Sequence, residues 1–221
     1  MVRTPGYDLP ARLHEPAQMN VQVSVQVNMQ VDLGRPPTAS AKGGPAAEIV
    51  YALADCPLGR LLLAATGRGL CFLAFGDEDA KLLAELQAEF PNATTLRQTD
   101  QALASLIAKI LAVLEGGWIE AQNIALNVPL DVAGTAFQRR VWTALMEIPI
   151  GHVWSYSKLA AHLGLERGQR AVAQGCARNR LCLLIPCHRV LRSDGALGGY
   201  RWGLERKAHL LDAEACLIPN L

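Results

Sequence analysis

The sequence predicts an α+β protein in which a small strand-rich part precedes a helical part. From Glu48 onward, short apolar runs alternate with turn signals, which is typical of an antiparallel sheet. After Gly134, apolar residues recur at helical spacing and basic residues accumulate. We therefore divide the chain into three regions: residues 1–47, residues 48–133 and residues 134–221.

The composition is that of a globular protein without a membrane segment. Of the 221 residues, 51% are hydrophobic, which is enough to fill one or two cores. No apolar run approaches the roughly eighteen residues of a membrane span, and the first residues lack the apolar core of a signal peptide. We expect a cytoplasmic protein with no membrane partner, acting as a monomer.

Residues 1–47 are predicted to form a poorly ordered tail. Valines alternate with polar residues between Val21 and Val31, which is the period of a half-buried strand, but no neighbouring segment offers a partner. Prolines and glycines follow. We expect at most a transient strand there and assign the tail no activity.

Residues 48–133 are predicted to contain a three-stranded meander and two helices. The apolar runs at residues 49–54, 60–65 and 70–75 are separated by short turn sequences. Two apolar stripes at helical spacing follow. The first consists of Leu82, Leu83, Leu86 and Phe90, and the second of Ala102, Leu106, Ile110, Val113 and Leu114.

Residues 134–221 contain four helical patterns. Thr135 and Ser155 are suited to cap the first two helices, and the third covers residues 169–178. The second and third are joined by a short glycine-containing turn, which is the arrangement of a helix-turn-helix. The first buries Phe137, Val141, Trp142, Leu145 and Ile148. The last, at residues 204–215, is expected to bury Leu204, Ala208 and Leu211.

Charge is distributed unevenly along the chain. Residues 1–133 carry nine Lys/Arg and fourteen Asp/Glu (9 − 14 = −5), whereas residues 134–221 carry twelve and six (12 − 6 = +6). A basic segment fits a polyanionic partner, although a solvated face has the same composition. On the third helix, Arg170, Ala173 and Gln174 share one face. Its small residues would let a helix approach a groove wall, or they are simply good helix formers.

The candidate reactive site is Cys187. An apolar run ends in Pro186 and is followed by Cys187, His188 and Arg189. A neighbouring cation or base can lower the pKa of a cysteine thiol, and the thiolate is the nucleophile. We expect such a shift at Cys187, because this charge density after a core run is hard to explain by packing.

The other five cysteines show no spacing that suggests a metal site or a disulfide framework. We expect them to be reduced, buried and small, and we expect no metal and no cofactor. Glu214, on the last helix, could be an ordinary solvated carboxylate.

Several short motifs complete the pattern of the C-terminal part. They are Gly-Thr-Ala-Phe-Gln at residues 134–138, Val141-Trp142, Ser155-Tyr156, Arg170-Ala171-Val172, Asn179, Ile-Pro-Cys-His-Arg-Val at residues 185–190, Gly199-Tyr200, and Lys207 with Leu210-Leu211. Together they resemble the O6-alkylguanine-DNA alkyltransferase family, with the closest likeness to the C-terminal half of its Ada branch. The similarity runs from about residue 51 to residue 214.

The resemblance implies a small ribonuclease-H-like domain followed by a helical, winged-helix-like domain with the helix-turn-helix. It implies irreversible transfer of an alkyl group from O6 of guanine in double-stranded DNA to Cys187, with O4-alkylthymine as a second substrate. The zinc-bound cysteine and transcription-activating module of the Ada branch are not predicted, since residues 1–47 contain no cysteine.

The resemblance also assigns roles to individual residues. Cys187 would be the nucleophile, His188 its base through a water molecule, and Glu214 the residue that orients His188. Asn179 would brace the active-site turn, and Tyr156 would donate a proton to the departing guanine. The residues implied for the flipped base are Tyr200, Arg201, Val190 and Lys207, and those implied for the minor groove of DNA are Arg170, Ala171, Ala173 and Gln174.

Two other functions fit parts of the sequence. A DNA-binding module could recognise alkylated bases without repairing them, but Cys187, His188 and Glu214 argue against it. A cysteine hydrolase could use Cys187 with a histidine, but no second glycine-rich oxyanion loop is evident. A hydrolase would turn over, whereas a suicide alkyl acceptor would react once.

Overall fold

The computed structural model describes residues 48–93, 95–98, 103–116 and 129–216. The predicted tail at residues 1–47 lies outside these ranges. The described residues divide into two compact units. The first contains those up to Thr135 together with Arg180–Cys182, and the second contains Ala136–Asn179 and those from Leu183 onward.

The first unit is built on a four-stranded sheet of order β3-β2-β1-β4. The strands are β1 (Glu48–Cys56), β2 (Gly59–Thr66), β3 (Gly69–Gly76) and β4 (Thr95–Gln98). The first three form the predicted antiparallel meander, with Leu53 of β1 opposite Leu62 of β2. The sequence did not predict β4, which pairs in parallel with β1.

Two helices contact this sheet, α1 (Asp79–Glu89) and α2 (Ala104–Leu114). The α1 stripe buries Leu82 and Leu86, and Phe90 is buried at its end. The buried residues of α2 are Ile107, Ile110, Val113 and Leu114. Leu83 and Leu106, which were expected in these stripes, are only half-buried because they lie at the margins of the buried faces.

Two further segments of the first unit extend along β3. Leu70 donates its N–H to Pro129 O at 2.9 Å, and Leu73 donates to Arg180 O at 2.8 Å. Gly69, which begins β3, has a φ of +149°, and a Cβ atom there would lie 2.3 Å from Pro129 O. Only glycine fits this position, since the neighbouring backbone approaches so closely.

The second unit contains four helices in the described residues, as predicted. They are α3 (Ala136–Met146), α4 (Tyr156–His162), α5 (Gln169–Ala177) and α6 (Leu204–Ala215). Two short parallel strands, β5 (Trp154–Ser155) and β6 (Val190–Leu191), pair with each other. A 3₁₀ turn (Cys187–Arg189) leads directly into β6.

The first three of these helices contact one another. Trp142 of α3 is buried and donates its indole N–H to Gly175 O of α5 at 3.0 Å. Ser155 caps α4 as predicted, because its hydroxyl accepts the Lys158 N–H at 3.0 Å. The helix-turn-helix pattern in the sequence therefore corresponds to α4 and α5 packed on α3. Phe137, expected in the α3 stripe, is half-buried, since it lies in the first turn.

The predicted and observed limits of α6 agree, but one predicted core residue is wrong. Leu204 is 44% exposed, whereas Leu210 and Leu211 are buried. Leu204 lies on the same stripe of the helix, but in the first turn its neighbours Gly203 and Glu205 are exposed too, so nothing covers it. Ala208 is half-buried.

None of the helices that the structure describes is both long enough and apolar enough to cross a membrane.

The Trp142 contact predicts the response of the second unit to a conservative substitution. Trp142→Phe removes the indole N–H that satisfies Gly175 O and leaves a gap in the core. We expect the free energy of unfolding to fall by about 2–4 kcal/mol. Urea unfolding at pH 7 measures this loss. Trp154→Phe is the matched control, since Trp154 is only half-buried, and it should cost less than about 1 kcal/mol.

Candidate active site

The candidate site is centred on the 3₁₀ turn that presents Cys187. Residues 184–186 are buried and lead into the turn, and the turn contacts both α3 and α6. Cys187 is 6% exposed, His188 1% and Arg189 8%, so the turn buries all three polar side chains together. Such burial requires partners for each polar group.

Asn179 holds the turn from the side of the thiol. Its amide Nδ2 donates to Ile185 O at 2.8 Å and to Cys187 Sγ at 3.2 Å. A single amide therefore fixes the backbone before the turn and the sulfur within it. The amide therefore braces the turn that carries Cys187.

The resting state of Cys187 differs from the sequence expectation. Burial raises the pKa of the Cys187 thiol, and the hydrogen bond from Asn179 and the charge of Lys207 only partly oppose it. The expected lowering by its neighbours in sequence is wrong, because the Arg189 guanidinium is directed to Glu214 rather than to the sulfur. The resting form is a neutral thiol.

His188 and Glu214 form a buried pair beside the thiol. His188 Nε2 lies 2.8 Å from Glu214 Oε1, and both side chains are 1% exposed. Burial lowers the pKa of His188, so the ring is neutral at physiological pH. With Nε2–H donating to the carboxylate, Nδ1 carries the lone pair, and Nδ1 has no hydrogen-bond partner among the described residues. The ring is thus oriented as a proton acceptor.

Arg189 is a site residue that the sequence reasoning did not assign. Its Nε donates to Glu214 Oε2 at 2.9 Å, its Nη2 to Oε1 at 2.8 Å, and its Nη1 to Ile148 O at 2.6 Å. The sequence places this arginine directly before the apolar pair Val190-Leu191. An arginine that is buried there requires a buried anion as its partner.

Glu214 is fully buried, so the alternative of a solvated carboxylate is wrong. Besides His188 and Arg189, the N–H of Gly151 donates to its Oε2 at 3.2 Å. Burial by itself would raise the pKa of Glu214, but the charges and hydrogen bonds of His188 and Arg189 lower it to about 2. Glu214 is a carboxylate at every pH at which the protein is expected to act.

Lys207 lies on α6 with its ammonium directed at backbone carbonyls. It is fully buried, and its Nζ donates to Val190 O at 2.6 Å and also to Leu197 O. Burial lowers the pKa of Lys207 to about 8, so its charge persists at neutral pH. Lys207 therefore links β6 to the glycine-containing segment that follows it.

Two tyrosines lie around the same group. Burial raises the pKa of Tyr156 to about 12, so the hydroxyl keeps its proton. The Tyr156 ring lies against Gly198, where a Cβ atom would be 3.0 Å from the ring. Tyr200 contacts His188 edge to face, with ring centroids 6.5 Å apart.

Trp202 ends the glycine-rich loop that the resemblance implies as a wall of the base pocket; it is buried, and its ring centroid lies 5.1 Å from that of Tyr200. Its only sequence signal is an aromatic residue in the glycine-containing segment. Arg201, by contrast, is exposed.

The predicted DNA-facing residues lie on α5. Arg170, Ala171 and Gln174 are exposed and Ala173 is half-buried. On the opposite face, Val172, Gly175 and Cys176 are buried. The exposed polar side chains of the helix are those of Arg170 and of two glutamines, Gln169 and Gln174.

The remaining cysteines follow the sequence expectation only in part. Cys71, Cys176 and Cys182 are buried free thiols, as predicted. Cys56 is half-buried and Cys216 is exposed, so the expectation of burial is wrong for these two. Cys216 directly follows the last residue of α6, where the packed face ends.

A buried thiol next to a histidine–glutamate pair, set in a helical unit, is a set of groups that can supply a nucleophile, its base and an orienting carboxylate. Two family models match the chain. The 6-O-methylguanine DNA methyltransferase ribonuclease-like domain matches residues 49–131, and the DNA binding domain of the same family matches residues 136–216.

Relatives agree with these matches. The bifunctional transcriptional activator/DNA repair enzyme Ada of Escherichia coli is 47% identical over 173 residues, 78% of this chain and 47% of Ada. The methylated-DNA–protein-cysteine methyltransferase of Mycobacterium leprae is 34% identical over 160 residues, 72% of this chain and 88% of that protein. The chain thus spans about half the length of the Ada relatives it matches.

A solved structure supports the same assignment. The crystal structure of Mycobacterium tuberculosis OGT in complex with DNA matches with a TM-score of 0.61 at 30% identity, covering 76% of this chain and 93% of that one. The chain belongs to the 6-O-methylguanine DNA methyltransferase family.

The buried Glu214 predicts how stability depends on pH. Its folded pKa of about 2 lies below the ordinary value of 4.5, so its contribution is complete above pH 4.5 and is lost as the pH falls through about 2. We expect a loss on the order of 2 kcal/mol between pH 7 and pH 3 from this group alone.

Glu214→Gln should remove this component, which urea unfolding at the two pH values would show as a smaller difference than in the wild type. Glu205→Gln, an exposed glutamate in the first turn of the same helix, should keep the wild-type difference. An unchanged difference in Glu214→Gln would contradict the prediction.

Proposed function

We propose that this protein repairs DNA by transferring an alkyl group from O6 of guanine to Sγ of Cys187, once per molecule. The observation that carries the proposal is the buried group itself: a thiol held by Asn179 beside a neutral histidine whose free nitrogen is a proton acceptor. O4-alkylthymine, which presents an equivalent alkyl ether, is proposed as a second substrate.

The proposed partner is double-stranded DNA, bound through the polar face of α5. O6 of guanine lies inside the duplex, so the nucleotide must leave the stack before a buried thiol can reach it. The exposed Arg170 can occupy the vacated space, while Ala171 and Ala173 allow close approach to the minor groove. Gln174, on the same face, adds an amide that can hydrogen-bond at the groove.

The thiol must be deprotonated during the reaction, because burial keeps it neutral at rest. His188 can accept this proton at Nδ1, through a water molecule, while Nε2 stays bound to Glu214 at 2.8 Å. The developing imidazolium is stabilised by the carboxylate. This is the arrangement of nucleophile, base and orienting carboxylate that activates nucleophiles in general.

In the transfer step, sulfur forms a bond to the alkyl carbon while the bond from that carbon to O6 breaks. The electron pair of the broken bond leaves with the guanine, which then needs a proton. Tyr156, whose pKa of about 12 keeps its hydroxyl protonated at rest, is proposed to donate this proton and to recover in return the proton that His188 took from the thiol. The base would be bound by Tyr200, Arg201 and the Val190 carbonyl, with Lys207 fixing that carbonyl.

The product explains why the protein would react only once. A thioether carries no ionisable proton and is a poor leaving group, so none of the described side chains could restore the thiol by hydrolysis. The protein is therefore consumed by its reaction. Turnover also separates this proposal from a cysteine hydrolase, and covalent transfer separates it from a module that only binds alkylated bases.

We assign both the DNA contacts and the alkyl acceptor to residues 134–221, and no role in transfer to residues 1–47. We propose that the protein acts as a monomer in the cytoplasm. All proposed catalytic residues lie in a single unit of the fold, so a second copy is not needed to complete the site.

The stoichiometry of transfer tests the proposal directly. Purified protein incubated with excess duplex that carries one O6-methylguanine should remove at most one methyl group per molecule. Mass spectrometry should find the methyl group on the Cys187 peptide and not on the peptides of Cys176 or Cys182. Repeated turnover would contradict a suicide mechanism.

Two variants refine this test. Cys187→Ala should abolish transfer but keep salt-sensitive binding to DNA. His188→Ala should slow the single turnover without lowering its final amplitude, since the nucleophile remains. Transfer that survives in Cys187→Ala would overturn the assignment of the nucleophile.

The role of Arg170 is tested by comparing two substrates. Arg170→Ala should slow repair of the duplex by about tenfold or more, but should leave reaction with free O6-methylguanine base almost unchanged. The reason is that Arg170 is proposed to stabilise the flipped state rather than to assist the chemistry. Single-turnover rates on the two substrates measure the effect, and Arg167→Ala, also exposed, is the control. Equal losses on both substrates would place Arg170 in the chemistry or in the fold.

A further inference from the structure

The buried guanidinium of Arg189 has no role in the mechanism described so far, yet it is one of the most completely bonded groups in the described part of the second unit. Its Nε and Nη2 together make three contacts with the two oxygens of Glu214, at 2.8, 2.9 and 3.2 Å. Its Nη1 donates to the carbonyl of Ile148 at 2.6 Å. This planar, two-oxygen contact fixes the orientation of the carboxylate as well as its charge.

The charges around His188 come from three parts of the fold. Glu214 and Lys207 face it from α6, Arg189 and Cys187 belong to its own turn, and Tyr200 lies at its edge. Glu214 favours a protonated ring, whereas burial and the two cations favour a neutral one. The balance among them decides whether His188 can act as a base.

A buried carboxylate 2.8 Å from an imidazole favours the imidazolium form of that ring and so opposes burial, which favours the neutral form. An imidazolium has N–H groups on both nitrogens, so its Nδ1 could donate a proton but could not accept one from the thiol. Arg189 supplies the cation that Glu214 requires. The histidine is then not needed as the counter-charge.

We infer that Arg189 is a positioning residue for the transfer reaction: it neutralises and orients Glu214, so that His188 rests as the neutral tautomer with its Nδ1 lone pair available to the thiol. Arg189 does not touch the reacting atoms and acts only through Glu214. The inference rests on the proposed function for its catalytic consequence, whereas its claim about the resting histidine does not depend on that function.

The decisive experiment replaces Arg189 by methionine, which keeps an unbranched side chain but removes the charge. In the wild type, the rate of single-turnover methyl transfer should fall on the acidic side of the profile only below pH 6.5, the ordinary pKa of histidine. We call this fall in rate the acidic limb of the pH–rate profile. In Arg189→Met the acidic limb should move to higher pH by about one unit or more, because His188 becomes the counter-ion of Glu214. At neutral pH the variant should therefore be slower, and raising the pH should restore its rate.

Two further variants separate positioning from folding. Arg189→Lys keeps the charge but loses the two-oxygen contact, so its limb should lie between those of the wild type and Arg189→Met. The double variant Arg189→Met, Glu214→Gln leaves no uncompensated buried carboxylate, and its limb should not move to higher pH. Arg192→Met is the matched control, since Arg192 is exposed and paired with Asp194 at 3.2 Å, and its limb should coincide with that of the wild type.

A measurement without DNA tests the resting state separately. The ¹⁵N chemical shifts of the His188 ring should show the neutral Nε2–H tautomer at pH 7 in the wild type and an imidazolium in Arg189→Met. A neutral ring in Arg189→Met together with an unmoved acidic limb would overturn the inference. If the wild type transfers no methyl group, the proposed function fails, whereas the ring shifts still decide the role of Arg189.

Discussion

The second unit depends on the burial of one anion. Glu214 lies at the end of α6 with no solvent contact, and groups from three separate segments converge on it: Arg189 and His188 from the 3₁₀ turn, and the backbone N–H of Gly151 from the segment after α3. An isolated carboxylate could not be buried in this way, because its desolvation would protonate it. The turn and α6 are thus held together by the same contacts that orient the histidine.

The second buried charge on α6 is that of Lys207, which binds the segment after the turn. Lys207, almost two helical turns before Glu214 on α6, donates to the carbonyls of Val190 and Leu197. The same helix therefore binds the turn through an anion and binds the following segment through a cation. The positive charge of Lys207 also opposes, in part, the effect of burial on the thiol of Cys187. The same residues hold the turn in place and set the pKa values of the thiol and the histidine. The effect of a substitution here is therefore measured by the pH dependence of the reaction rate as well as by the melting temperature.

Much of the fold follows from periodicity in the sequence. The apolar residues of the first three strands and of α3 are numerous enough to identify these elements from the local sequence. Ser155 could be identified as a cap because its own hydroxyl accepts the hydrogen bond. The strand β4 was not predicted, because residues 95–98 have little apolar character and pair with β1 only through the folded chain. Leu204 was misplaced for a related reason: a stripe shows which face of a helix is apolar, but not how far along the helix the neighbouring elements reach.

The sequence named most of the residues grouped around Cys187, but it missed Arg189 and the electrostatics of the group. Motif residues such as Asn179 and Glu214 were found by resemblance, and their contacts join them to the turn. The predicted direction of the pKa shift at Cys187 is wrong, because a residue adjacent in sequence does not necessarily place its charge near the sulfur. In the 3₁₀ turn, the side chain of Arg189 is directed to Glu214 instead of the sulfur. Only the folded structure shows which anion is paired with a buried cation.

A neutral resting thiol suits the proposed single reaction of each molecule. A permanently ionised cysteine would react with many electrophiles and oxidants, and each such event would consume the molecule. Burial of Cys187 raises its pKa and so suppresses these reactions, while a neutral His188 would supply the base in the proposed transfer. A neutral thiol with a separate base requires the histidine to be unprotonated even though it lies next to a carboxylate. The cation that makes this possible must be buried with the pair, which is the position that Arg189 occupies.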